Sequence, residues 1–336
     1  MIRSFLLPVL LAFTTMAEAG KEVNVYSHRH YPVDRMLFEQ FTEQTGISVN
    51  VVKASADQLI KRLEVEGDQS PADVLITVDA GRLFRAQSKG LLQPVESQRL
   101  KTQVPEHLRD PAHHWYGLTI RTRAIAYAKD RVKPEQLSTY EALTEPQWTG
   151  KVLIRSAQNI YNQSLMASMI VAHGHRKAAI WAEGMVRNFA RTPKGNDRDQ
   201  VKAIANGVGD VAIVNSYYMG KLLNSEDEAE RTAAAAVELF FPNQDGRGTH
   251  INISGAGVTA SSTNLENAIA LLEFLSGSQA QQAFAKANFE YPVNPEVEDS
   301  PLKKMWGDFK SDNINLSLLG KHNFEAVTIF AKSGWR

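Results

Sequence analysis

Apolar positions along this chain change period repeatedly, and the changes mark out its elements. Lys21 to Tyr26 alternates apolar and polar residues, the pattern of a half-buried strand, and Ser27-His28-Arg29-His30-Tyr31-Pro32 breaks it. From Asp34 to Glu43, Met36, Leu37, Phe38 and Phe41 recur at helical spacing, and Gly46 supplies a stop. A second strand, Ile47 to Val52, leads to Ser55-Ala-Asp-Gln58. That capping-box spacing predicts a helix with Leu59, Ile60 and Leu63 on one side, closing near Gly67. Ala72 to Thr77 is an apolar run of the buried-strand type, and Asp79 suits the N-cap of a helix carrying Leu83 and Phe84 toward Gly90. Three strand-helix units in succession predict a parallel, doubly wound sheet.

Between Leu91 and Pro111 the period is weak, which predicts connecting segments and short helices. Trp115 to Ala128 is an extended stretch long enough to cross between two lobes. A second α/β region follows, with a strand over Gly150 to Ile154 and helices over Ser164 to Ala172, Lys177 to Phe189 and Asp199 to Asn206. Val211-Ala-Ile-Val is then a β-branched strand that stops at Asn215-Ser216 and turns directly into a helical pattern. Ser225 to Arg231 reads as an acidic surface loop or helix end, and Val237 to Phe241 as a strand ended by Pro242-Asn243. Thr249 to Ile253 and Gly257 to Thr259 are strand-like, helices follow over Leu265 to Leu275 and Gln279 to Ala287, Tyr291 to Pro295 is a break, and a helical tail runs to Trp335. The order gives two α/β lobes, each a doubly wound, mostly parallel sheet flanked by helices, joined by crossing strands near residues 120 and 240. The expected boundaries are 20–118 with 247–297 for the N-terminal lobe and 119–246 with 298–336 for the C-terminal lobe.

Composition narrows the classes. Thirty-seven basic and thirty-seven acidic residues cancel without long charge runs, so a nucleic-acid surface is not expected. The absence of cysteine excludes disulfides, thiolate metal sites and a lipid-modified N-terminal cysteine. Residues 1–19 have the form of a secretory signal: Arg3 supplies the positive start, Phe5 to Phe13 the apolar stretch, and Ala17-Glu18-Ala19 the cleavage site before Gly20. A monomeric, cysteine-free exported chain in a bacterial-type periplasm is the expectation.

Three loops follow strands and open helices: His28-Arg29-His30-Tyr31, Asn159-Ile160-Tyr161-Asn162 and Asn215-Ser216-Tyr217-Tyr218. Each presents tyrosine where an open α/β sheet places its ligands. On His30-Tyr31, the stretch Ser156 to Ser164, the Tyr217-Tyr218 pair and Asn252-Ile-Ser-Gly-Ala-Gly257, the chain resembles the periplasmic ferric-iron-binding proteins of bacterial ABC transporters, in particular their tyrosine-rich cyanobacterial subclass. The resemblance implies a type II periplasmic binding protein fold, with Fe(III) held between the lobes and passed to an ABC permease. It makes Tyr31, Tyr161, Tyr217 and Tyr218 phenolate ligands. His30 is a ligand in some members and a neighbour in others, and Arg121 balances charge or holds a synergistic anion such as carbonate. Where members with a glutamate ligand carry it, this chain has Val78-Asp79, and Asp79 reads as a helix cap.

The chemistry agrees with that implication. Fe(III) is a hard ion best matched by anionic oxygen, and a phenol with a free pKa of about 10 ionises at neutral pH only under a strong cation. Four phenolates around Fe(III) leave one negative charge, which Arg121 can balance; three phenolates and a bidentate anion would also serve. Two rivals stand beside this reading. One is a binding protein holding a polyamine- or thiamine-like cation in an aromatic cage, and the other is a tyrosinate-iron enzyme, for which no catalytic motif is visible. Tyr26, Tyr116, Tyr127, Tyr140 and Tyr291 are assigned to packing, His113-His114 and His173-Gly-His175 to turns or the surface, and His28 and Arg29 to the cleft mouth.

Overall fold

The computed structural model describes residues 21–297 and 301–336, so the signal read at residues 1–19 lies outside the described residues. β1 (Glu22–Ser27), α1 (Pro32–Thr45), β2 (Ser48–Lys53), α2 (Ala56–Glu66), β3 (Val74–Val78) and α3 (Ala80–Ser88) form the first three strand-helix units. Their ends follow local chemistry. Gly46 closes α1 in the left-handed conformation at φ 73°, Ser55 and Gln58 complete the capping box of α2, and the Asp79 carboxylate accepts from Gly81 N at 2.9 Å to open α3.

After α4 (Gln98–Gln103) comes the long strand β4 (Tyr116–Ala128). β5 (Val152–Leu153), α5 (Ile160–His173), α6 (His175–Asn188), α7 (Asp197–Ala205), β6 (Val211–Asn215), α8 (Ser216–Leu223), α9 (Glu228–Ala235) and β7 (Val237–Phe240) build the second region. Two helices begin where the period alone did not put them. α5 starts at Ile160, because Asn159 caps it by accepting from Tyr161 N at 3.0 Å. The acidic stretch becomes α9, because Asp227 caps it and Glu228 and Glu230 sit at the helix end that favours negative charge.

β8 (Ile251–Val258), α10 (Leu265–Ser276), α11 (Ser278–Asn288), β9 (Tyr291–Pro292), α12 (Pro301–Trp306), α13 (Ser317–Lys321) and α14 (Asn323–Ser333) complete the described elements. β8 runs unbroken through residues 254–256, joining the two strand-like runs into one, and it contains Gly255 and Gly257. They are there for close approach: a Cβ on Gly257 would lie 2.4 Å from the His114 carbonyl oxygen, and one on Gly255 2.7 Å from that of Tyr116.

The strands follow the order β2-β1-β3-β8-β4-β6-β5, with β7 and β9 also pairing β4. β1 pairs parallel with β2 and β3, and β5 with β6, as strand-helix-strand order requires. Every antiparallel pairing of these strands involves β8 or β4, of which β4 carries the chain between the two halves, so the whole is mixed. Within β4, Tyr116–Thr122 pairs with β8, whereas Arg123–Ala128 pairs with β6 and β7. One strand therefore serves both lobes, and residues 241–250 bring the chain back. β1, β2, β3 and β8 lie in the first lobe, β5, β6 and β7 in the second.

Candidate metal centre

The four tyrosines singled out by the sequence stand at three helix N-termini. Tyr31 is the N-cap of α1, Tyr161 lies in the first turn of α5, and Tyr217 and Tyr218 lie in the first turn of α8. Exposed amide N–H groups make such ends favourable to anions, by about 0.3–1 kcal/mol each, a modest bias toward phenolate. Tyr217 is buried and its ring centroid is 4.1 Å from that of Tyr218.

Each phenol ring also has a cation of its own. Arg29 lies 5.0 Å from the Tyr31 ring, Arg155 5.4 Å from Tyr161, Arg121 4.9 Å from Tyr217 and Arg198 5.9 Å from Tyr218. Lys221, one turn along α8, places Nζ 3.6 Å from the centre of the Tyr31 ring and 5.7 Å from that of Tyr217. Because Tyr31 belongs to the first lobe and α8 to the second, that contact spans the cleft.

Two buried carboxylates hold three of these cations, Arg29, Arg121 and Arg155. Glu290 receives Arg29 Nη1 at 3.0 Å and also pairs with Arg121. Burial opposes its ionisation, but the two guanidinium groups outweigh it and hold the carboxyl at about 2. Asp197 binds Arg123 at 2.8 Å and Arg155 at 2.6 Å, and accepts from Asn215 N at 3.2 Å. It thereby ties the loop of Tyr161 to that of the tyrosine pair. Arg121 reaches Ser254 Oγ at 2.6 Å, yet its buried Nε and Nη1 have no protein acceptor. Those two donors are free for an anion.

Burial raises the phenols of Tyr31, Tyr217 and Tyr218. It pushes Tyr217 well above the ordinary value of 10, with Tyr161 adding to the shift and Arg121 opposing it. Tyr31 is raised by burial and by Glu290, against Arg121 and Arg29, and Tyr218 by burial and by Tyr161. Burial lowers Lys221 to about 8. These phenols are therefore protonated at neutral pH until a strong cation displaces the protons.

The remaining expectations divide. His30 is exposed, its ring 5.3 Å from that of Tyr31. Arg29 does not line the mouth: it is buried, bonded to Asp34, Glu290 and Ser254, because a guanidinium that far from water needs acceptors on every side. Arg121 is buried and pairs with Glu290. Asp79 is fully committed, receiving Gly81 N, Ser164 Oγ at 2.6 Å and Asn252 Nδ2 at 2.9 Å. Tyr26, Tyr116, Tyr127 and Tyr140 spend their hydroxyls on Glu66, Val95 O, Glu238 and Arg123 O, and Tyr291 packs among Trp306 and Phe309. Tyr161, by contrast, donates to no described residue. His113, His114, His173 and His175 each face a single carboxylate, and no group of three or more His, Cys, Asp or Glu among the described residues could hold a metal.

Sequence reasoning missed Glu290, Asp197, Arg155, Arg198 and Lys221. For Lys221 a signal existed, because four residues beyond Tyr217 puts it on the same helix face.

Two α/β lobes on a shared strand, with polar side chains gathered between them, define a two-lobed solute-binding protein of type II. The chain belongs to the bacterial extracellular solute-binding protein family, whose model matches residues 69–307. It is similar to iron uptake protein A1 of Synechocystis, 49% identical over 94% of this chain and 88% of the relative. The fold superposes on a Trichodesmium protein solved in complex with iron and citrate, with TM-score 0.92 and 48% identity over 94% of this chain and all of that one. It also superposes on the ferric iron-binding protein A of Mannheimia haemolytica in an open conformation, with TM-score 0.87 and 42% identity over 94% of this chain and 98% of that one. No helix among the described residues is long and apolar enough to cross a membrane.

Proposed function

We propose that this chain captures ferric iron as its cargo between the lobes and hands it to an ABC permease, working in the periplasm after removal of residues 1–19. Tyr31, Tyr161, Tyr217 and Tyr218 are the ligands in this reading. His30 flanks them, and Arg121 offers two free donors to a completing anion such as carbonate. The observation that carries the proposal is the convergence of four phenols at three helix N-termini from both lobes, each with its own cation. The cations favour phenolate against the burial that opposes it, and they disfavour the rival, an organic cation in an aromatic cage, because the protein's own cations already attend the rings. The relatives named above support iron as the cargo. Three phenols lie on the second lobe and one on the first, so the second lobe loads first and closure brings in Tyr31.

Fe(III) added to apo protein in weak buffer tests this. A phenolate-to-iron charge-transfer band is expected, with release of about one proton per phenol bound. Because those protons must leave, affinity falls as the pH falls, and acid should bleach the band. A colourless protein that releases no protons would remove the proposal.

A further inference from the structure

Helix α8 carries a glycine that its own backbone disfavours. Gly220 sits in the helix interior, where alanine is the better residue, so the reason lies outside the helix. What lies against it is Phe289: a Cβ on Gly220 would fall 2.4 Å from Phe289 Cγ and 2.7 Å from both its Cβ and Cδ1. A change of rotamer does not clear that contact, because the Phe289 Cβ is itself too close. Phe289 is the C-cap of α11, which packs on α1 and α10 of the first lobe, while α8 packs on β6 and α7 of the second. Phe289 in turn holds the left-handed backbone conformation, φ 58°, where glycine is the usual residue. Two segments from opposite lobes thus each carry a residue that their local backbone disfavours, and the two residues meet.

The flanking residues connect this contact to the site. Tyr217 and Tyr218 precede Gly220 and Lys221 follows it, over the Tyr31 ring. Glu290 follows Phe289 and holds Arg29 and Arg121. We infer that the Gly220–Phe289 contact gauges lobe closure: bare backbone at Gly220 is the seat on which the first lobe lands, and only full seating brings Tyr31 to the phenols of α8. The inference rests on the iron-binding reading above. Both residues position the ligands without touching the metal.

The test is G220A, with F289G and G220A/F289G as partners, each compared with wild type in the apo and Fe(III)-loaded forms. Alanine improves the helix, so apo G220A should melt no lower than wild type. On adding Fe(III), G220A should still colour through its second-lobe tyrosines. Small-angle scattering should find no compaction, and a chelator should strip the iron at least roughly tenfold faster than from wild type. G220A/F289G, which removes the opposing Cβ, should regain compaction and slow release. G220A that compacts and releases as wild type does, or a double variant that stays open while F289G alone closes, overturns the gauge. Wild type that takes up no iron overturns the functional reading itself, a separate result.

Discussion

Replacing Glu290 by glutamine is expected to destabilise the folded chain by about 3–5 kcal/mol, the usual cost of leaving a buried charge without its partner. Glu290 is fully buried and answers two guanidinium groups, so the variant strands positive charge at both Arg29 and Arg121. Arg29 keeps Asp34, whereas Arg121 keeps only the Ser254 hydroxyl, so the loss falls mainly on the hinge strand β4. The pH dependence follows from the depressed carboxyl. Held at about 2 against an ordinary 4.5, it contributes fully above about 4.5, and that contribution is lost as the pH falls through about 2. Urea denaturation at neutral pH should report the destabilisation, and melts between those two values should show a flatter acid limb in E290Q. A variant within about 0.5 kcal/mol of wild type, with the same acid limb, would mean that the ion network contributes nothing net.

Tyr217→Phe should weaken Fe(III) binding by more than roughly 100-fold, because a direct ligand outranks the outer partners whose loss typically costs 10–100-fold. The substitution removes one oxygen and keeps the ring, so the ring contact with Tyr218 and the contact with Arg121 persist and stability should change little. Tyr291→Phe is the control: its hydroxyl is buried without a partner, remote in role from the cleft, and its loss should leave iron binding unchanged. Competition against a chelator, read with the visible spectrum, separates the two. Binding by Tyr217→Phe within about threefold of wild type would strike Tyr217 from the ligand set.

The parts legible in sequence were those whose cause is local. Gly46, the Ser55–Gln58 box and the Asp79 cap each act within a few residues, and strand-to-helix junctions announce themselves by a change of period. That was enough to bring Tyr31, Tyr161, Tyr217 and Tyr218 forward together. Glu290 and Asp197 were not legible, because their meaning depends on partners far along the chain: Arg121 is 169 residues from Glu290, and Arg123 is 74 from Asp197. Arg29 misled for the same reason. Between two histidines it looks like surface, and only packing by α1, β8 and the Glu290 segment makes it core. Gly255 fell between two separate runs because the neighbour that requires it, the carbonyl of Tyr116, lies on another segment.

Strand β4 has a consequence for how the molecule comes apart. Its first half is hydrogen-bonded into one sheet and its second half into the other, and buried apolar residues of both, from Val25 and Leu75 to Ile125 and Ile213, belong to one contiguous core. Losing this strand would strip β8 of the first lobe and β6 and β7 of the second of a neighbour at once. The two lobes are therefore expected to unfold as a single cooperative unit, and calorimetry should see one heat-absorption peak whose two-state enthalpy equals the heat measured.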